Sequence, residues 1–207
     1  MKRIFILLLL LQLIAIDAYS EVKTTESGGI VFNIDTEKGT ASVGQNYKKS
    51  IVSGDINYTG TLSGDVLIPS SVKYRGKQYP VQSIDKDAFY GCRYIISITI
   101  PETISDIDYR VFNYMLSDLK AINVAPGNEH YTSVDGILFT RGMSKIVKYP
   151  GQHDGTSYII PSSVLSIENS SFSHCSYLSE IVLPDNLEYI GDNAFENCSF
   201  KEIVLPG

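Results

Sequence analysis

Tryptophan is absent from this 207-residue chain, and cysteine, methionine and histidine number three each. An odd cysteine count argues against a disulfide framework, with a bridge between Cys175 and Cys198 left open. His130, His153 and His174 have no metal-ligand spacing to one another or to a cysteine, so no zinc centre or catalytic histidine is indicated. Charge is sparse at 19%, and its balance is acidic by six, which leaves nothing in bulk to attract a phosphate backbone. Glycine-rich phosphate loops and serine nucleophile elbows are missing, so the text excludes the common nucleotide and acyl-transfer sites. What is plentiful is apolar residues, 43% of the chain, and these exclude full disorder.

Only one long apolar run occurs, Ile4 to Ile16, interrupted by Gln12 and preceded by Lys2 and Arg3. It is shorter than the roughly 20 residues that span a bilayer. Ala18 and Ser20 suit a signal-peptidase site, so residues 1–20 read as a secretory signal. Its removal takes away Lys2, Arg3 and Asp17 and leaves 15 basic against 22 acidic side chains. The exported chain is then expected to be secreted or displayed on the cell surface. No integral membrane segment and no nucleic-acid partner are expected.

The strongest signal is an internal repeat. An apolar residue precedes proline at Ile68-Pro69, Ile100-Pro101, Ile160-Pro161, Leu183-Pro184 and Leu205-Pro206. Between these marks run matching columns: Ile84, Ile107, Ile167 and Ile190; Phe89, Phe112, Phe172 and Phe195; Cys92, Met115, Cys175 and Cys198; Ile98, Ile122, Ile181 and Ile203. A coil of about 23 residues cannot bury one apolar side alone, but stacked coils cover one another. The I-x-L ends alternate with period two and predict short parallel strands. The A-F-x-x-C stretch predicts a short helical turn, and P-x-x-V-x-x-I a second extended piece on the return side.

The text "SIDKDAFYGCRYIISITIP", "SIENSSFSHCSYLSEIVLP" and "YIGDNAFENCSFKEIVLP" resembles the BspA-like (Treponema-type) leucine-rich repeats of bacterial surface proteins. The resemblance covers roughly residues 60–207. It implies a leucine-rich-repeat solenoid, a β-rich α/β right-handed superhelix with its parallel strands on the concave face. It also implies a secreted or surface protein used for adhesion or protein binding, without catalysis or cofactor.

The flanking text departs from the repeat. Residues 21–65 read as a β-rich N-terminal cap with a hairpin turn at Glu37-Lys38-Gly39, and 66–207 as the array. Hairpin insertions are expected at about 73–80, turning at Arg75-Gly76-Lys77, and within 127–160, turning at Thr140–Ser144. Gly207 follows the last apolar strand directly, which would leave Ile203 and Leu205 uncovered and reads as a fragment or an exposed end.

Candidate functional residues follow from the strand columns. Cys92, Cys175 and Cys198 share a column with Met115 and read as small buried hydrophobes. The three histidines read as solvated. Fourteen tyrosines are the compositional oddity, with Tyr90, Tyr94, Tyr109 and Tyr114 near the first two coils. The concave face is expected to present Ser97, Thr99, Ala121, Asn123, Glu180, Val182, Glu202 and Val204 as one binding strip for a protein partner, such as host extracellular matrix or another cell surface. Alternatives are a structural spacer and a glycan-binding module, the latter through Asp106, Asp108 and Tyr109. No catalytic or metal residue is expected.

Overall fold

The computed structural model describes residues 22–52, 55–112 and 116–204. Residues 1–20, read above as a secretory signal, lie outside the described residues, as do Tyr114, Met115, Leu205 and Gly207. The described residues are almost entirely strand and turn.

β1 (Lys23–Ser27), β2 (Ile30–Asp35) and β3 (Thr40–Val43) form an antiparallel meander. Its turn is closed by the Asp35 carboxylate, which accepts from the N–H groups of Glu37 and Lys38. A separate hairpin follows, β4 (Tyr47–Val52) with β5 (Asp55–Gly60), then β6 (Ser63–Leu67). β7 (Ser71–Tyr74) and β8 (Lys77–Ile84) meet through a two-residue loop, Arg75-Gly76, with both φ angles positive at 47° and 84°. That pairing matches the right-handed twist of a tight hairpin. β9 (Tyr94–Ile100), β10 (Asp106–Ile107) and β11 (Ala121–Val124) complete the first half.

Two ladders organise these strands. β3, β8 and β10 pair in parallel on the return side, and β6, β9 and β11 pair in parallel on the front. The register aligns Val66, Ile98 and Ile122 on the front and Val43, Ile84 and Ile107 behind. All six side chains are buried. Each full burial of such a side chain is worth about 1.5–3 kcal/mol, and no single coil could obtain it alone. The segment read as a cap therefore supplies a coil of its own, β3 to β6, with the β4–β5 hairpin inserted at its turn.

The second half repeats the plan. β12 (Tyr131–Val134) and β13 (Ile137–Thr140) form a hairpin, and β13 pairs antiparallel with β14 (Lys145–Lys148). β14 then stacks in parallel with β16 (Ser166–Ile167) and β18 (Tyr189–Ile190) on the return side. β15 (Ser157–Ile159), β17 (Glu180–Val182) and β19 (Glu202–Val204) form the front ladder. Strands β14 and β15 thus belong to a coil, although they lie inside the stretch read as an insertion. The apolar core follows this division. One cluster runs from Ile30 to Leu138 and another from Ile137 to Ala194, so neighbouring residues of β13 face different cores.

The expected helical turns differ in kind. Among the described residues only Tyr109–Phe112 is helical, as one 3-10 turn; elsewhere the A-F-x-x-C stretch is a chain of i→i+3 turns, such as Cys175 N–H to Phe172 O at 3.2 Å. The reason lies between coils. Ser170, Phe172 and His174 donate their N–H groups sideways to Asp192, Ala194 and Glu196 at 2.8–3.0 Å. Positive φ at Ser170, His174, Asn193 and Asn197 turns alternate peptides toward the neighbour. An α-helix would keep those donors within its own segment.

Candidate binding surface

The side chains that point away from the core follow from the ladder register. On the first front sheet Asp65, Ser97 and Ala121 form one row, and Leu67, Thr99 and Asn123 the next. On the second sheet Ser157, Glu180 and Glu202 are in register, as are Ile159, Val182 and Val204. The eight residues expected as one strip are therefore split between two sheets, four on each. The physical cause is the β12–β13 hairpin. Gly136 O accepts from Ile122 N–H at 2.8 Å, and Ser133 Oγ accepts from Val124 N–H at 2.9 Å, so the edge of β11 is already satisfied.

Within that frame the expected residues behave differently. Ser97 Oγ donates to the Asp65 carboxylate at 2.7 Å, and Asn123 is exposed. Ala121 is half-buried under the hairpin; a Cβ added at Gly136 would stand 2.8 Å from the Ala121 Cβ. Glu180 is exposed and Val182 half-buried. The rows also contain residues that the sequence reading left out. Leu67 is 69% exposed and Ile159 is 72% exposed, whereas the adjacent Ile68 and Ile160 are buried. Their signal was present, because both stand two residues before the proline that closes a strand, as Val182 and Val204 do. Tyr94 and Ile96 add exposed apolar area toward the other end of β9 from the partner of Leu67.

Asp106 and Asp108 line one cavity, with Asp85 and Asp87, that no described tyrosine lines. Tyr90 packs edge-on with Tyr47 and Tyr58 at 5.5 and 5.4 Å, which docks the β4–β5 hairpin onto the first stack. Tyr109 lies under the Arg110 guanidinium at 5.6 Å. Arg110 Nε donates to Asp108 Oδ1 at 2.8 Å, and this hydrogen bond holds the Asp108 carboxyl below its ordinary range. Asp108 thus already accepts from its own neighbour.

His153 corrects the reading of solvated histidines. It is half-buried, with Nδ1 3.1 Å from Tyr149 Oη and Nε2 2.8 Å from Asp135 O, and it ties the loop after β14 to the β12–β13 turn. His130 and His174 are exposed. Among the described residues no group of three His, Cys, Asp or Glu side chains could hold a metal ion.

The cysteine column has a hydrogen-bonding role. Cys92 Sγ donates to Asn46 O at 3.2 Å, Cys175 Sγ to Tyr149 O at 3.7 Å and Cys198 Sγ to Phe172 O at 2.9 Å. Each acceptor lies in the preceding coil. Burial pushes the Cys92 thiol up from its ordinary value. Lys148 is a buried polar residue that the sequence reading missed. Its ammonium donates to Ser170 O at 2.9 Å and to Ser173 Oγ at 3.0 Å, and burial lowers its pKa to about 8. Period-two alternation in "KIVK" places it on the buried side with Ile146.

A family model described as "BspA type Leucine rich repeat region" matches residues 70–152 and 149–207, in six copies. None of the curated proteins matches the chain. Six chains of known structure do. A leucine-rich-repeat protein from Bacteroides ovatus ATCC 8483 is 27% identical with a TM-score of 0.51, over 88% of this chain and 41% of that one. A leucine-rich-repeat protein from Eubacterium ventriosum ATCC 27560 is 22% identical with a TM-score of 0.53, over 64% of this chain and 33% of that one. The pneumococcal vaccine antigen PcpA is 17% identical with a TM-score of 0.51, over 89% of this chain and 70% of that one. The last two likenesses are of fold alone. This chain spans about a third of the length of the Eubacterium protein. No helix among the described residues is long and apolar enough to cross a membrane.

Proposed function

The chain belongs to the BspA-type leucine-rich-repeat family, and from that premise we propose that it is an exported surface protein that binds a protein partner, without catalysis, through the outer rows of its two front sheets. Residues 1–20 direct export in this reading. The observation that carries it is Ile159, 72% exposed on a sheet and in register with Val182 and Val204. Ile159 leaves apolar area on the ladder that a partner would cover. Leu67 stands exposed on the first sheet as well. Adhesion to matrix or to another cell is the finer form of this proposal.

The test is binding of the purified protein to a panel of extracellular-matrix proteins and glycans, beside an Ile159→Glu/Val182→Glu variant. Saturable binding to a protein ligand, lost in a variant of unchanged circular dichroism, supports the reading. Binding that survives the substitutions moves the site elsewhere, and no binding to any panel member favours a structural spacer.

A further inference from the structure

The hydrogen bonds from Phe172 N–H to Ala194 O and from His174 N–H to Glu196 O, both 2.8 Å, run one way from coil to coil and stack the two turns along the repeat columns. They set residue 172 beside 195 and residue 174 beside 197, and so bring Cys175 beside Cys198. Phe172 O joins the pair directly. It accepts from the Cys198 thiol at 2.9 Å and from the Cys175 N–H at 3.2 Å. Laterally paired residues stand about 4.8 Å apart, inside the Cα separation of roughly 4.4–6.8 Å that a disulfide spans.

We propose that Cys175 and Cys198 form a dithiol site that a disulfide donor closes into a bridge between coils. Both cysteines are free thiols in this structure, so closure needs a shift of one toward the other. Cys198 can supply it. It lies in the outermost described coil, half-buried between the half-buried rings of Phe195 and Phe200, whereas Cys175 is 1% exposed.

The surroundings assign the two roles. The neighbouring Cys175 thiol holds Cys198 below its ordinary pKa, with the Lys148 ammonium adding to the effect, and the proximity of Cys198 raises Cys175, which burial raises further. Cys198 is accordingly the sulfur that ionises first and attacks. A cleft lined by Lys148, Ser173, His174, Ser176 and Asn197, the last three adjacent in sequence to the two cysteines, is the proposed entry for a small oxidant. The Cys198 thiolate attacks one sulfur of a donor disulfide and expels a thiolate. Cys175 then gives up its proton and attacks the Cys198 sulfur, expelling the second thiolate. Two protein thiols are oxidised and one donor disulfide is reduced to two thiols. Cys92 stands in the first stack, where the neighbouring coil carries Met115 in the column, so it has no partner for such a bridge.

The test treats the folded protein with oxidised glutathione, blocks remaining thiols with an alkylating agent under denaturing conditions, and maps the peptides. The expected result is a monomer in which three alkylatable thiols fall to one, at Cys92, with a peptide pair joined through Cys175 and Cys198 and two hydrogens lost. Cys92→Ser should leave that bridge intact, and Cys175→Ser should stop at a glutathione adduct on Cys198. The oxidised protein should also melt higher, because the bridge holds the outer coil against fraying. Three thiols still free after treatment, or an unresolved glutathione adduct in the unsubstituted protein, would overturn the proposal, and the peptide map decides this even if a variant fails to fold.

Discussion

The two three-coil stacks use the same columns but finish them differently. In the first stack both ends are covered: β1 and β2 extend the return ladder, and the β12–β13 hairpin closes the front edge at β11. The return-side residues Val43, Ile84 and Ile107 are all buried there. In the second stack Ile167 and Ile181 are fully buried, yet Ile190 and Ile203, one coil on in the same columns, are 46% and 42% exposed. Identical residues in identical local structure thus differ in burial because of the neighbouring coil alone. Burial in this architecture is a property of the contact between coils, and stability should be distributed the same way.

The stacks also differ in how they fill the turn side. The first uses the Tyr47, Tyr58 and Tyr90 triad on an inserted hairpin. The second threads a continuous column, with Tyr149 to Phe172 at 5.2 Å, Phe172 to Phe195 at 5.4 Å and Phe195 to Phe200 at 5.5 Å. Phe172 is its central, fully buried member. Phe172→Ala should cost about 3–5 kcal/mol. In urea unfolding with residue-resolved hydrogen exchange, the loss should fall on the second core and leave amides of β8 and β9 protected. Equal loss in both stacks would show that the two cores unfold as one unit.

A titration sharpens the same contrast, since a buried ammonium occurs only in the second stack among the described residues. Lys148 has a folded pKa of about 8, below its ordinary 10.5. Between those values the unfolded chain holds a proton that the folded chain does not, so stability rises with pH across that window. Below pH 8 both states are protonated and the burial penalty is constant. The span corresponds to roughly 3 kcal/mol. Denaturation of the wild type and Lys148→Met over pH 7.5–10.5 should show the wild type gaining on the variant. Buried tyrosines such as Tyr149, raised to about 12 by burial, pull the other way above pH 10 in both proteins and leave the sign of the difference intact. A pH-independent difference would place the Lys148 amine in contact with water.

The repeat columns were legible because the same apolar types recur at a nearly fixed spacing, and Ile98, Ile122, Ile181 and Ile203 fall in their expected places on the front ladders. Two coils escaped that reading. In β3–β6 the hairpin from Tyr47 to Gly60 separates the two strands, and no proline-spaced text survives between them. In β14–β15 the polar Lys148 occupies a core position, so β14 reads as an arm of the inserted hairpin rather than as a strand of a coil. The candidate strip was legible residue by residue but not in its continuity, because the division depends on a side chain, Ser133, and a carbonyl, Gly136, reaching β11 from a hairpin. Hydrogen bonds of that kind carry no periodicity.

Asn128 joins the first stack to the dividing hairpin from the inside. It is 1% exposed; its amide donates to Pro101 O and Ile104 O at 2.9 Å, and its Oδ1 accepts from the N–H groups of His130 and Tyr131. Asn128→Ala leaves those groups buried without partners and should cost roughly 1–3 kcal/mol. Thermal unfolding measures it, and a loss within 0.5 kcal/mol, the range of an ordinary surface substitution, would mean that water replaces the amide.

Gly136 makes the smaller contact on the same hairpin from the outside. Its φ of +77° lies in the left-handed region, and an added Cβ would press on Ala121. Gly136→Ala should therefore cost about 1–2 kcal/mol from the backbone conformation alone. Its more informative effect is local. Relief of the clash moves the hairpin off β11 and weakens the bond from Ile122 N–H to Gly136 O. Amide exchange at Ile122 should then accelerate more than at Ile98, which β6 and β11 flank on both sides. If Ile122 stays protected, the first sheet ends at β11 by its own packing and the hairpin is a passenger. If it opens, the hairpin is what keeps the two front sheets apart.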